Sequence, residues 1–280
     1  MIATIAQEAG VDRIFIDMEY IGKDARQGGM DTVQNHHTID DIRTIRKCVT
    51  KSKVQVRINP IHEAIYDYFN TEDEVHAAID AGADILMLPM YKTVADVERF
   101  VKAVNGKVTT LLLAETIEAA DIMQEVVKIT EVDEIHLGLN DMHLAKGMKF
   151  MFELLADGTV DELCNIINPS GKKYGFGGIA RLGYGTLPAE KIIMDHYRIG
   201  STMAILSRSF CNVDKIEHID EIRDIFTCEV ARIREAEKEY AKFSMEDFDA
   251  NHQAVIKLVI LARKFHGVEH VLVLVEVEHV

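Results

Sequence analysis

Positive charge is what this chain most lacks. Lys and Arg number 31 against 46 Asp and Glu, a formal net charge of −15. Such a balance speaks against nucleic acid or an anionic membrane as partner, and a small anionic substrate needs a local positive group to offset it. Cysteine is sparse, and Cys48, Cys164, Cys211 and Cys228 form no CxxC pair and no short framework. They read as reduced thiols of a cytosolic protein. No apolar run approaches about 18 residues, so no transmembrane span is expected, and the N-terminus lacks the basic, apolar, small-residue order of a signal peptide. No Pro/Gly/Ser-rich linker divides the chain. No GxGxxG or Walker lysine marks a nucleotide loop, and no HExxH supplies metal-ligand spacing. The expectation is a cytoplasmic protein that handles a small molecule.

What is present is alternation. At 280 residues, 48% hydrophobic and 28% charged, the chain has ample material for one large core. A helix over Met1 to Gly10 comes first. Seven strand-like runs follow: Arg13 to Tyr20, KVQVR, ILMLPM, Val108 to Leu113, Ile135 to Leu139, Tyr174 to Ala180, and Met203 to Ser207. Helical patterns separate them: one capped near Thr38, one through Val75, Ala78 and Ile79, and one over TVADVERFVKAV. Further ones run through Ala119, Ile122, Met123 and Val126, from Phe152 to Ile167, and after Pro188. Long helices from Ile216 to Phe243 and from Met245 to Phe265 close the series.

Strict strand–helix alternation demands parallel strands in one α/β domain. The expected fold is a (β/α)8 TIM barrel over residues 1–243, with a C-terminal helical extension and apolar tail over 244–280. One strand is wanting before the first helix. Either it is missing at the N-terminus, or VLVLVEV, 271–277, supplies it, since that run has the continuous apolar character of a buried parallel strand.

Residues 108–143 hold the central βαβ unit. Its first strand runs out into Glu115 and its second into Asp141, at the carboxyl ends where such folds keep their active sites. Neighbouring strands lie roughly 4.8 Å apart, so both carboxylates can reach one cation, and two carboxylates with waters suit Mg²⁺ or Mn²⁺. An N-cap at Asp141 and a first-turn acid at Glu115 would explain the same positions. On spacing alone the two readings stand level.

Arg57, in VRINP at a strand end, carries a planar fork suited to a substrate carboxylate. A structural ion pair with Asp17 or Glu19, which alternate along one strand, competes. The readings are compatible where Arg57 bridges an acid and a substrate. GFGGIAR, 175–181, either lets backbone approach a ligand or makes a tight turn. His36, His37 and His143 are proton carriers or surface residues.

Taken together, IDMEY, VRINP, AGADILMLPM, LLLAET and GLNDMHL resemble the HpcH/HpaI aldolase and citrate lyase β-subunit superfamily, from about Ile2 to Asn212. The resemblance implies a phosphoenolpyruvate- and pyruvate-binding TIM barrel. It implies Mg²⁺, Mn²⁺ or Co²⁺ held by Glu115 and Asp141, and Arg57 on the carboxylate of a pyruvate or acyl-enolate. Backbone amides of Gly138, Leu139 and Asn140 would contact the same 2-oxo acid. Trimers or hexamers are implied as well, with C-terminal helices exchanged between subunits.

One position departs from the pattern. Aldolases of the HpaI type carry a histidine after the acid of the strand-two motif and the citrate lyase β type an acid; here Tyr20 follows Glu19. A tyrosine of ordinary pKa is a poor base near neutrality. The expected catalytic set is Arg57, Glu19 and Tyr20, with a water on the metal, His36 or His37 as replacement base. The expected activity is metal-dependent cleavage of a 4-hydroxy-2-oxo acid to pyruvate or a related 2-oxo acid and an aldehyde. The alternatives are an acyl-CoA lyase of the malyl- or citryl-CoA kind, for which no basic patch for CoA phosphates is evident, and a barrel that binds a small acid without lyase chemistry.

Overall fold

The structure is a computed structural model in which residues 1–22, 37–64 and 69–265 are described. Seven strands form one parallel sheet in sequence order. They are β1 (Arg13–Asp17), β2 (Lys53–Arg57), β3 (Ile85–Leu88), β4 (Thr109–Ala114), β5 (Glu134–Leu137), β6 (Lys173–Ile179) and β7 (Met203–Leu206). β3 and β5 are buried at every residue, as parallel strands covered on both faces must be.

The sheet curls on itself. Arg13, at the start of β1, donates to Glu134, at the start of β5, through Nη1 at 2.5 Å and Nη2 at 2.9 Å. A flat sheet would hold strands four places apart at roughly 19 Å. Phe15, Ile85, Met87, Leu111, Leu113 and Met203 pack inside the curl, while the larger apolar core lies between sheet and helices. Among the described residues β1 and β7 do not pair, so the expected closed eight-strand barrel is here an open, curled seven-strand sheet. Residues 271–277, the suggested eighth strand, lie outside the described residues. At the seam a cavity of about 730 Å³ opens, lined by Ile2 and Ala6, by Ile14 and Ile16 of β1, and by Met203 and Ile205 of β7.

The helices are α1 (Ile2–Glu8), α2 (Ile39–Cys48), α3 (Thr71–Asp80), α4 (Val94–Val104), α5 (Ile117–Asp121) and α6 (Met123–Val126). They continue with α7 (Leu139–Ala145), α8 (Glu153–Ala156), α9 (Thr159–Ile167), α10 (Ala189–Arg198), α11 (Ile219–Tyr240) and α12 (Met245–Phe265). Thr38 with Asp41 and Thr93 with Asp96 form capping boxes that start α2 and α4.

Several expected boundaries move. The helix expected through Ala119 to Val126 is two, because Ile122 (φ −92°, ψ 5°) leaves the helical region. The one expected from Phe152 to Ile167 breaks at Gly158, whose φ is +85°. β1 stops at Asp17, and β5 stops at Leu137, so Leu139 and Asp141 belong to the first turn of α7 rather than to a strand.

α12 packs on its own chain. Phe248 stacks on Tyr197 with ring centroids 6.0 Å apart, Asn251 Nδ2 donates to Lys191 O at 2.9 Å, and Val255 and Val259 are buried. No helix among the described residues is long and apolar enough to cross a membrane.

Candidate active site

β1 and β2 pair with Asp17 opposite Arg57, which sets an acid and a base side by side at neighbouring carboxyl ends. Arg57 Nε and Nη2 donate to Asp17 Oδ1 and Oδ2 at 2.8 and 2.7 Å, a bidentate fork. Nη1 lies 3.3 Å from Glu19 Oε2. Glu19 does not alternate with Asp17 along a strand. It sits in the turn after β1, where its N–H donates to Asp17 Oδ1 at 3.2 Å, and that turn brings both carboxylates to one guanidinium. Burial opposes the charge on Arg57, but the hydrogen bonds and charge of Asp17, then Glu19 and Glu115, outweigh it. Arg57 is therefore held protonated more firmly than a free arginine.

Glu115 leaves β4 directly and is buried. Capping of α5 falls to the next residue: Thr116 Oγ1 accepts from Ala119 N–H at 3.0 Å and donates to Tyr91 O at 3.0 Å. Glu115 is thus spared a capping role. Its Oε1 accepts from the N–H of Met90 at 3.2 Å. Met90 has φ +53°, a left-handed conformation that a side-chain-bearing residue adopts at a cost, and here the turn aims that N–H at the carboxylate. Gly138 closes in from the other side. A Cβ there would stand 2.6 Å from Glu115 Cβ and 3.0 Å from Oε2. Leu139 beyond it is buried, Asn140 exposed and Asp141 half-buried. The structure therefore brings Glu115 against the Gly138–Asp141 turn, and the Glu115 charge reaches Arg57. Tyr91 is wholly buried, with its hydroxyl unpartnered among the described residues. Burial first, and the Glu115 charge second, push its pKa above the ordinary phenol value.

Three buried carboxylates, Asp17, Glu19 and Glu115, act on the single cation Arg57. A cluster of carboxylate oxygens at the carboxyl end of the sheet is the donor type that suits a hard divalent ion such as Mg²⁺ or Mn²⁺. No three His, Cys, Asp or Glu among the described residues converge as a ligand set, so their own contribution to such a site is at most two side chains.

The candidate proton carriers divide. Tyr20 stands at the mouth, 39% exposed, with its N–H and that of Ile21 held by Asn59 Oδ1 at 2.8 and 2.9 Å. Asn59 Nδ2 in turn donates to Glu74 Oε1 at 2.8 Å. His37 is exposed, and its Nδ1 accepts from Asp17 N–H at 3.2 Å, which puts the ring proton of the neutral form on Nε2. His143 is buried in α7 with Nδ1 against Leu139 O at 3.2 Å, a structural role. His36 lies outside the described residues. Sequence reasoning missed Asn59 and Glu74; Asn59, two residues beyond Arg57 in VRINP, was the available signal.

A model of the HpcH/HpaI aldolase/citrate lyase family matches residues 1–151, from α1 past Asp141. The chain belongs to this family. Three solved structures resemble it in fold. An HpcH/HpaI aldolase/citrate lyase family protein from Burkholderia cenocepacia J2315 has TM-score 0.56 and 16% identity over 80% of this chain and 91% of that one. An HpcH/HpaI aldolase from Desulfitobacterium hafniense DCB-2 gives 0.55 and 16% over 74% and 80%. The citrate synthase SbnG gives 0.55 and 15% over 85% and 89%. No curated protein matches the sequence. The HpcH/HpaI family is a lyase class, and in this member the carboxylates that distinguish the site all lie within the matched residues.

Proposed function

We propose that this protein is a divalent-metal-dependent carbon–carbon lyase that cleaves a 4-hydroxy-2-oxo acid to pyruvate or a related 2-oxo acid and an aldehyde. The observation that carries the reading is the cluster of buried carboxylates gathered on Arg57 at the carboxyl end of the sheet, in a chain of a lyase family. Glu115 and Asp141 would hold Mg²⁺, Mn²⁺ or Co²⁺, which when bound polarises the 2-oxo group as a Lewis acid.

The chain's own residues do the rest. Arg57, clamped by Asp17 and Glu19, meets the substrate carboxylate with its geometry already fixed, so little rotamer freedom is lost on binding. Gly138, Leu139 and Asn140 border the same acid with their amides. Glu19 and Asp17 keep the guanidinium charged throughout. Water at the mouth would take the C4 hydroxyl proton as the C3–C4 bond breaks and return one to the C3 carbon of the 2-oxo acid half, with Tyr20 and His37 at hand to relay it. With Nδ1 taking the Asp17 N–H, His37 can donate through Nε2, and it acts as base only once Nδ1 is released.

The test is pyruvate release from a panel of 4-hydroxy-2-oxo acids with Mn²⁺, wild type against Glu115→Ala. Metal-dependent release that disappears in the variant is expected. No release, with Mn²⁺ bound by the wild type and lost from the variant, would keep the site and leave a small-acid-binding barrel in place of an aldolase.

A further inference from the structure

In a chain so poor in positive charge, an arginine without an acid partner needs an explanation. Arg13, Arg46, Arg57, Arg99 and Arg198 each grip a carboxylate. Arg181 grips none among the described residues. It follows β6 by two residues, is half-buried, and its Nε is fully buried with no hydrogen-bond partner. Its guanidinium carbon stands 4.3 Å from the centroid of the Tyr184 ring, a cation–π contact that orients the planar fork without neutralising it. Its charge also reaches Cys211 in the segment after β7, partly offsetting the burial that raises that thiol's pKa. Glu190, the nearby acid of α10, is engaged elsewhere, accepting the N–H of Gly183 at 2.9 Å.

The position matters as much as the charge. β6 and β7 are the last two strands of the curl, and segments after the final strands of α/β barrels recurrently hold anionic groups. β2, which carries Arg57, and β6 stand four places apart in the order, the same separation that Arg13 and Glu134 bridge across the inside of the curl. The segments that carry Arg57 and Arg181 thus both leave the carboxyl end of the sheet, from strands four places apart.

We infer that Arg181, backed by Tyr184, receives an anionic terminus on the half of the substrate remote from the 2-oxo acid, a carboxylate or a phosphate ester. This rests on the lyase reading for the identity of the near half. An unpaired, partly desolvated guanidinium gains a charge-assisted, two-pronged contact when such a group arrives, and its loss weakens that contact by roughly 10- to 100-fold.

The experiment runs the reaction toward addition, with pyruvate, Mn²⁺ and three acceptors: neutral glycolaldehyde, succinic semialdehyde and glyceraldehyde 3-phosphate. For Arg181→Gln the KM of a charged acceptor rises 10- to 100-fold, while glycolaldehyde is unaffected and Arg181→Lys recovers part of the loss. Whichever charged acceptor responds identifies carboxylate or phosphate as the group read. Equal effects on neutral and charged acceptors, or no effect on either, overturn the inference. A readout independent of turnover separates it from the lyase reading: calorimetric titration of succinate and of inorganic phosphate into wild type, Arg181→Gln and Glu115→Ala, with thermal melts to verify folding. Binding kept in Glu115→Ala and lost in Arg181→Gln supports the anion subsite even if no substrate is cleaved. Binding indifferent to Arg181→Gln overturns it even if the aldolase works.

Discussion

Gly138 shows how a residue serves a site by what it does not carry. Its backbone is ordinary (φ −84°, ψ 92°), so alanine there incurs no conformational strain. The methyl group would nevertheless stand 2.6 Å from Glu115 Cβ, and Glu115 has no room to retreat, being buried and tied to Met90. Gly138→Ala should therefore lower the melting temperature, as overpacking does, and weaken Mn²⁺ binding of the folded variant at least roughly 10-fold, measured by calorimetric titration. Unchanged metal affinity would remove Glu115 from the ligand set. Glu115 was legible in the sequence because a strand that ends abruptly in an acid advertises itself. The steric need at Gly138 was not, because the atom it makes way for sits just beyond a neighbouring strand. Asn59 and Glu74 were hidden for the same reason: their contact spans α3 and the segment after β2, and no local pattern reports it.

Among elements, strands and caps were readable and breaks were not. Thr38 marked a helix start through its own side-chain chemistry. At Ile122 and Gly158 the apolar period runs on across the interruption, so periodicity alone joined what the backbone separates. α12 was legible to the residue as a helix yet opaque as to its partner. Its docking centres on Asp195, which is wholly buried in α10. Asp195 lies 3.1 Å from both Arg198 Nε and His252 Nδ1 of α12. Arg198 keeps Asp161 as a second partner, so Asp195→Ala mainly strips α12 of its polar anchor. The expected cost is about 3 kcal/mol in urea denaturation, together with faster proteolytic removal of the segment after Tyr240. A variant as stable and as protease-resistant as wild type would show that Phe248, Val255 and Val259 dock the helix unaided.

At the scale of the molecule, alternation sufficed to order seven parallel strands, since strand–helix–strand connections leave little other choice. It could not report that β1 and β7 do not pair. Nor could it report which buried groups titrate. His136 of β5 and His196 of α10 are both wholly enclosed. Burial pushes the His136 pKa down to about 4, with the Gly177 carbonyl opposing and Arg13 adding to the effect. Burial and then the His136 charge push His196 down to about 3. His196 stacks on Phe176 with centroids 3.8 Å apart and bonds Ser201 Oγ through Nδ1 at 2.7 Å.

In the unfolded chain both imidazoles take up protons near pH 6.5, while in the fold they stay neutral until about pH 4 and 3. Between those limits unfolding binds protons, so stability is intact above pH 6.5 and drains away as the pH falls. At pH 5 each imidazole should cost about 2 kcal/mol, and the two together about 4 kcal/mol. His196→Phe keeps the stack on Phe176 and removes one of the titrations. Urea midpoints at pH 7 and pH 5 should then differ by about half as much in the variant as in wild type. Equal loss in both proteins would mean that carboxylates, not these histidines, govern the acid limb, whereas a halved loss would assign it to the enclosed imidazoles.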